Sequence, residues 1–170
     1  MRNVLILELL FSTGMRISEL CSLRIGNVIL DDYVIKIYGK GSKERLIQIC
    51  NESVQKLLYS YMQAYCEHDK KETFLFINRL GNQLSEQSVR NMITAYAKKS
   101  GINLHITPHM FRHSFATLLL EEDVYIRYIQ QMLGHSSITT TQIYTHISLN
   151  KQKDILKSKH PRNKIDINTK

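Results

Sequence analysis

Two short segments with period-two alternation, residues 33–38 (Tyr-Val-Ile-Lys-Ile-Tyr) and 45–50 (Arg-Leu-Ile-Gln-Ile-Cys), flank the glycine-rich, basic run Gly39-Lys40-Gly41-Ser42-Lys43-Glu44. Alternation of this kind suits a half-buried strand, and glycines at the turn admit the tight reversal a hairpin needs. Nearly every other apolar pattern in the chain has helical spacing, so the hairpin must be the nucleus of a small sheet wrapped by helices. The expected class is α+β, mostly α, with a small three-stranded antiparallel sheet whose third strand is Phe74-Leu75-Phe76-Ile77.

The helices can be placed from their punctuation. Residues 3–12 and 17–24 form two short helices broken at Ser12-Thr13-Gly14, where glycine can adopt the left-handed conformation that ends a helix. Asn51 caps a helix over 52–66, and Ser85 begins one that stops at Ser100-Gly101. Thr107-Pro108 is an N-cap followed by proline in the first helical position, so a helix runs from 108 to about 121. Helices near 123–133, 136–146 and 148–157 follow, the first ended by Gly134 and the second capped by Ser136 or Ser137. The tail from Lys159 reads as irregular and solvated.

With 170 residues the chain can bury a real core as one domain, and no apolar run is long enough to cross a bilayer. Its start lacks the small-residue cleavage site of a signal peptide, which predicts a cytoplasmic protein. Cys21, Cys50 and Cys66 show no CxxC or zinc-like spacing and are expected as free thiols, mostly buried. The net charge of +8 favours a polyanionic partner, but seven basic residues against two acidic ones lie in the last twenty positions. Charge alone is therefore weak evidence for DNA, and the positions of particular residues must decide.

Those positions begin at Pro108-His109-Met110-Phe111-Arg112-His113. His109 falls in the first turn of its helix and Arg112 three residues on, so both project from one face near the positive end of the helix dipole, where an anion belongs. A surface histidine beside an ion-paired arginine is an equally good reading of this helix by itself. His109 and His113 also have the i, i+4 spacing of metal ligands, with His105 and His135 in reserve, but the Glu of H-E-x-x-H and clustered carboxylates are missing. His113 is expected to be packed or hydrogen-bonded. Arg16 and Glu19 share a face of the second helix, either as a surface ion pair contributing under ~1 kcal/mol or as a guanidinium oriented by a carboxylate. Lys40 lies at the hairpin tip, where glycines allow a ligand close approach to the backbone.

Taken in order, Thr13-Gly14-Met15-Arg16-Ile17-Ser18-Glu19-Leu20, Gly39-Lys40-Gly41-Ser42-Lys43-Glu44-Arg45, Pro108-His109-Met110-Phe111-Arg112-His113, Leu133-Gly134-His135 and Thr140-Thr141-Gln142-Ile143-Tyr144-Thr145-His146 closely resemble the catalytic domain of tyrosine recombinases, especially Xer-type recombinases and phage or transposon integrases. The resemblance spans nearly the whole chain. It implies a helical tyrosine-recombinase catalytic domain over 1–158 and a basic C-terminal tail over 159–170. It also implies a site-specific recombinase or integrase that cleaves and rejoins DNA strands through a covalent 3′-phosphotyrosyl intermediate.

Residue by residue, the resemblance assigns Arg16 and Arg112 to the grip on the scissile phosphate and Lys40 to protonation of the leaving 5′ oxygen. His109 would assist proton transfer, His135 would hydrogen-bond the phosphate, Tyr144 would be the nucleophile, and Glu19 would brace the site. No metal, cofactor or ATP is implied. The implied partner is double-stranded DNA, bound by a homo- or hetero-tetramer joined through the C-terminal segment, with Ile155 and Leu156 as anchors on a neighbouring protomer; a monomer is possible when free, and no membrane is involved. Relatives carry an N-terminal core-binding domain that completes a clamp on the duplex, and this domain is expected to be absent from the present chain. Two competing readings remain: a non-catalytic DNA-binding module and a metal-dependent phosphodiesterase.

Overall fold

Leu5, Ile6, Leu9 and Leu10 recur at the spacing of a single helix face, and all four are fully buried on α1 (Arg2–Thr13). In the computed structural model, which describes residues 1–39, 44–66, 72–134 and 149–165, this helix is the central post of the molecule. Gly14 ends it with φ 60°, and its N–H donates to the Leu10 carbonyl. A Cβ there would stand 2.8 Å from both Leu133 Cδ2 and Phe115 Cδ1, so glycine is required by space as well as by backbone conformation.

α2 (Ile17–Ser22) has six residues, too few to stand alone. The Glu19 carboxylate holds its first turn by accepting from the Arg16 N–H at 2.7 Å. After a single 3-10 turn (Ile25–Asn27) comes the sheet, ordered β1 (Val28–Ile29), β2 (Val34–Tyr38) and β3 (Glu44–Gln48), all antiparallel. Its hairpin has the predicted strands, with Val34 opposite Gln48 and Ile37 opposite Arg45. The third strand is different from the predicted one. Residues 74–77 form only isolated bridges, Arg24 with Phe74 and Ile77 with Gln83, and their backbone is tied to Leu23 and Leu84 instead. A short continuous apolar run carries no period to say which partner it joins, and here Leu75 and Phe76 simply plug the core.

α3 (Glu52–Tyr65) starts as expected, with Asn51 Oδ1 accepting from the Ser53 and Val54 N–H groups. α4 (Glu86–Lys99) is capped by Ser85 and followed by Gly101 at φ 71°. α5 (Pro108–Glu121) has Thr107 at its N-cap, but the threonine side chain makes no capping bond and proline alone marks the start. α6 (Ile126–Leu133) ends at Gly134, φ 67°. The predicted helix at 136–146, with its Ser136 or Ser137 cap, lies outside the described residues. α7 (Leu149–Lys159) closes the series, followed by a 3-10 turn over Pro161–Lys164.

Two buried clusters result. One gathers α1, the sheet, α3 and α4; the other joins Phe115, Leu119, Val124, Ile129, Met132 and Leu133 of the α5–α6 pair to Ile155 and Leu156 of α7. Ile155 and Leu156, the expected anchors on a neighbour, are thus buried within this chain. Gln152 fixes α7 to the sheet, accepting from the Gln48 N–H and donating to the Leu46 carbonyl.

The tail also departs from expectation, because its described part is folded. Arg162 is buried and forms a two-pronged ion pair with Glu8 of α1, Nε to Oε2 at 2.7 Å and Nη2 to Oε1 at 3.0 Å. A buried charge is tolerated only with such a partner, so part of the basic tail is internal structure and not a solvated patch. His160 packs against Phe11 and Phe115, and its Nδ1 accepts from the Arg162 N–H. Burial pushes its pKa down to about 4. Below the ordinary histidine value of ~6.5 the unfolded chain takes up a proton that the folded site refuses, so stability falls as pH drops from there toward 4, by about 3 kcal/mol for this group. Denaturant unfolding at pH 7 and pH 4.5 should show this loss, and His160→Gln should flatten it.

The three cysteines are free; Cys21 is buried, Cys50 and Cys66 are half-buried, and burial pushes each thiol up to about 11. Among the described residues no helix is long and apolar enough to cross a membrane.

Candidate phosphate-binding active site

The two clusters meet where Gly14 touches Phe115 and Leu133, and the charged residues collect at this seam. Arg112, on the inner face of α5, donates from Nη1 to the Gly14 carbonyl at 2.7 Å and from Nη2 to the Leu133 carbonyl at 2.8 Å. Those carbonyls are the open C-terminal ends of α1 and α6, the negative poles of both helix dipoles. Among the described residues these two carbonyls use only part of the guanidinium fork, which has five N–H donors. Burial lowers the Arg112 pKa to about 10, helped by the positive charge of Arg16, opposed by Glu19 and helped again by Arg45, so the side chain stays cationic at neutral pH.

Arg16 precedes α2 with its side chain 43% exposed, and its Nη1 lies 3.0 Å from Glu19 Oε1. Glu19 is buried, so this is not the solvated surface pair that spacing alone allows. Burial raises its pKa, but hydrogen bonding and charge from Arg45, then from Arg16, outweigh that and hold the carboxyl below the ordinary range. Glu19 is therefore an anion at neutral pH, shared between two guanidinium groups.

Arg45 was not a predicted site residue, yet its guanidinium grips both carboxylate oxygens of Glu19. Its Nη1 and Nη2 reach the two carboxylate oxygens at 2.8 and 2.9 Å, and its Nε donates to the Met132 carbonyl at 2.9 Å. The signal was in the strand pattern: Arg45 alternates with Ile47 and Ile49 on the inward side of the hairpin, where an arginine needs a buried acid.

His109 sits in the first turn of α5, exposed and one turn before Arg112. His113 is exposed too, not packed as predicted. Among the described residues no three His, Cys, Asp or Glu side chains gather as a metal cluster. The structure thus brings together Arg16, Glu19, Arg112 and the unforeseen Arg45, with His109 nearby in sequence on the same helix. Lys40, His135 and Tyr144 lie outside the described residues. A cleft of about 640 Å³ lined by Arg2, Tyr61, Tyr65, Phe74 and Tyr96 shares no residue with this group.

The phage integrase family model matches residues 1–151, a span that holds every one of these positions. The chain belongs to the phage integrase family. It is 60% identical to a tyrosine recombinase of Agathobacter rectalis over 95% of this chain and 53% of the relative, and 39% identical to the tyrosine recombinase XerC of Bacillus pumilus over 95% and 54%. Among solved structures it resembles the XerA recombinase (TM-score 0.71, 35% identity, 91% of this chain and 56% of that one). It also resembles the XerH site-specific recombinase bound to difH substrate in a pre-cleavage complex (TM-score 0.68, 31% identity, 88% and 44%). The integrase-family chain spans about half the length of the curated relatives it matches. Its mostly helical fold with one three-stranded sheet is that of the recombinase neighbours.

Proposed function

We propose that this chain is the strand-cleaving and strand-joining domain of a site-specific tyrosine recombinase acting on double-stranded DNA. The observation that carries the reading is that Arg112, bonded to the Gly14 carbonyl, and Arg16, two residues beyond that glycine and paired with Glu19, gather at the seam of the two clusters, where the charge of Arg16 lowers the Arg112 pKa. Two cations kept this close repel each other, and a bound phosphate would relieve that repulsion.

In the proposed reaction the Tyr144 phenol gives up its proton to His109 as its oxygen attacks the scissile phosphorus, the bond to the 5′ oxygen breaks, and Lys40 supplies the proton that oxygen needs. The product is a 3′-phosphotyrosyl ester and a free 5′ hydroxyl. His109 assists proton movement, Arg16, Arg112 and His135 hold the phosphate oxygens, and Glu19 orients Arg16. Phosphoryl transfer is accelerated mainly by positioning and by fixed charges on the equatorial oxygens, at about 3–4 kcal/mol per well-placed donor, so several must converge. The tyrosyl ester keeps the energy of the broken linkage, and a 5′ hydroxyl from a partner duplex can reseal it without ATP. Assembly as a tetramer on DNA, and action in the cytoplasm, belong to the same proposal.

The test is a suicide DNA substrate whose nick releases a short fragment after cleavage, incubated with the chain in EDTA and without ATP. A protein–DNA species that survives denaturation is expected. DNA binding that weakens steeply with salt but yields no such species would instead identify a non-catalytic binding module, and activity that needs a divalent ion would identify a metal-dependent phosphodiesterase.

A further inference from the structure

We infer that Arg45 is a positioning residue of the active site, clamping Glu19 so that Arg16 is held toward the phosphate. The inference rests on the recombinase reading for its catalytic consequence, but its geometry stands alone. Arg45 is the second residue of β3, just after the glycine-rich segment that carries Lys40. It spans to Glu19 on α2 through both carboxylate oxygens, and to the last turn of α6 through the Met132 carbonyl. One side chain therefore ties together the three stretches of chain that lead to Lys40, Arg16 and His135.

Three further observations separate this role from that of a generic buried ion pair. The Arg45 side chain is only 11% exposed and each of its three nitrogens donates to Glu19 or Met132, so it faces inward and is not placed as a free contact for a DNA backbone. Gly134 is shaped around it: a Cβ there would lie 2.9 Å from Arg45 Nη1, at a φ of 67°. Glu19 accepts at Oε1 from both guanidinium groups, while Oε2 takes Arg45 Nη2 and the Arg16 backbone N–H. With Arg45 removed, the carboxylate would swing toward Arg16 and claim donors that the phosphate needs. A lysine cannot replace the clamp, because its single nitrogen cannot span the Glu19 carboxylate and the Met132 carbonyl as the three guanidinium nitrogens do.

The experiment compares the parent chain with Arg45→Lys and Arg45→Ala, after unfolding curves establish that each is folded. Single-turnover cleavage of the suicide substrate at saturating DNA is expected to fall about 10- to 100-fold in both variants, with DNA affinity within a few-fold of the parent. The acid-side fall of the cleavage rate should also set in at higher pH in Arg45→Ala than in the parent, as Glu19 becomes easier to protonate. Carboxyl 13C NMR gives a readout independent of cleavage, in which the Glu19 titration midpoint should move upward in Arg45→Ala. An unmoved Glu19 midpoint, or full cleavage by Arg45→Lys, overturns the positioning role. Absence of any covalent species with the parent chain, alongside a shifted Glu19 midpoint, would overturn the recombinase reading and leave the clamp standing. If Arg45→Ala does not fold, Arg45→Lys supplies both readouts.

Discussion

Tyr144→Phe is expected to leave no covalent protein–DNA species at all on a suicide substrate, while binding the same duplex with the affinity of the parent. The substitution removes one oxygen, and that oxygen is the atom proposed to bond to phosphorus. No neighbouring hydroxyl can take its place by default, because a phenol with a pKa near ~10 becomes a nucleophile at neutral pH only where a positive field and a proton acceptor are aimed at it. Nor does the ring contribute to holding DNA through its hydroxyl to any large extent, so affinity and its salt dependence should be preserved. The measurement is a denaturing gel of labelled substrate, run at equal fractional saturation for both proteins. The same gel assigns the nucleophile: Thr145, Tyr128 or another hydroxyl is responsible if the Phe variant still becomes trapped. This would sink the Tyr144 assignment but not the phosphate-binding role of the arginines.

The contrast between Arg112 and Arg45 illustrates what a sequence reveals. Arg16 and Arg112 could be singled out because each sits in a recognisable local setting, the Gly14 turn and the Thr107-Pro108 helix start, and the structure brings the two together at one seam. Helix ends punctuated by Gly14, Asn51, Ser85, Gly101, Pro108 and Gly134 fall within a residue or two of their predicted places, since each depends on backbone conformation and capping chemistry local to the position. What depends on distant partners was not legible. β1 has two residues, too few to show any period, and residues 74–77 look like a strand but are bound elsewhere. The Glu8–Arg162 pair joins opposite ends of the chain, so nothing near Arg162 told that its charge was buried. Arg45 falls within the predicted strand, but its partner Glu19 lies 26 positions away on a different element, and nothing local pairs the two.

Arg112→Lys is expected to lower the single-turnover cleavage rate by about a thousandfold, equivalent to ~4 kcal/mol of lost transition-state stabilisation. Lysine keeps the charge, so the loss isolates the guanidinium fork. In the folded chain that fork is fixed by the Gly14 and Leu133 carbonyls, which point two of its prongs inward and orient the remainder. A lysine ammonium gathers its donors on one nitrogen, so it cannot hold two carbonyls and also present a planar edge to the phosphate. DNA affinity should change only a few-fold, because a contact that strengthens as charge develops acts on the rate more than on binding. The structure also predicts a second effect that the helix position alone would not suggest. Arg112 is buried, and Arg112→Ala would leave two helix-end carbonyls unpaired beside a cavity, at a cost of roughly 2–4 kcal/mol. For a domain of this size that is a fall in Tm of about 5–15 °C. The two variants therefore separate the two roles, since Arg112→Lys should lose catalysis with a smaller loss of Tm and Arg112→Ala should lose both. Cleavage by Arg112→Lys within tenfold of the parent would show that charge alone suffices, and that the buried fork is there to join α1 to α6 and not to grip the phosphate.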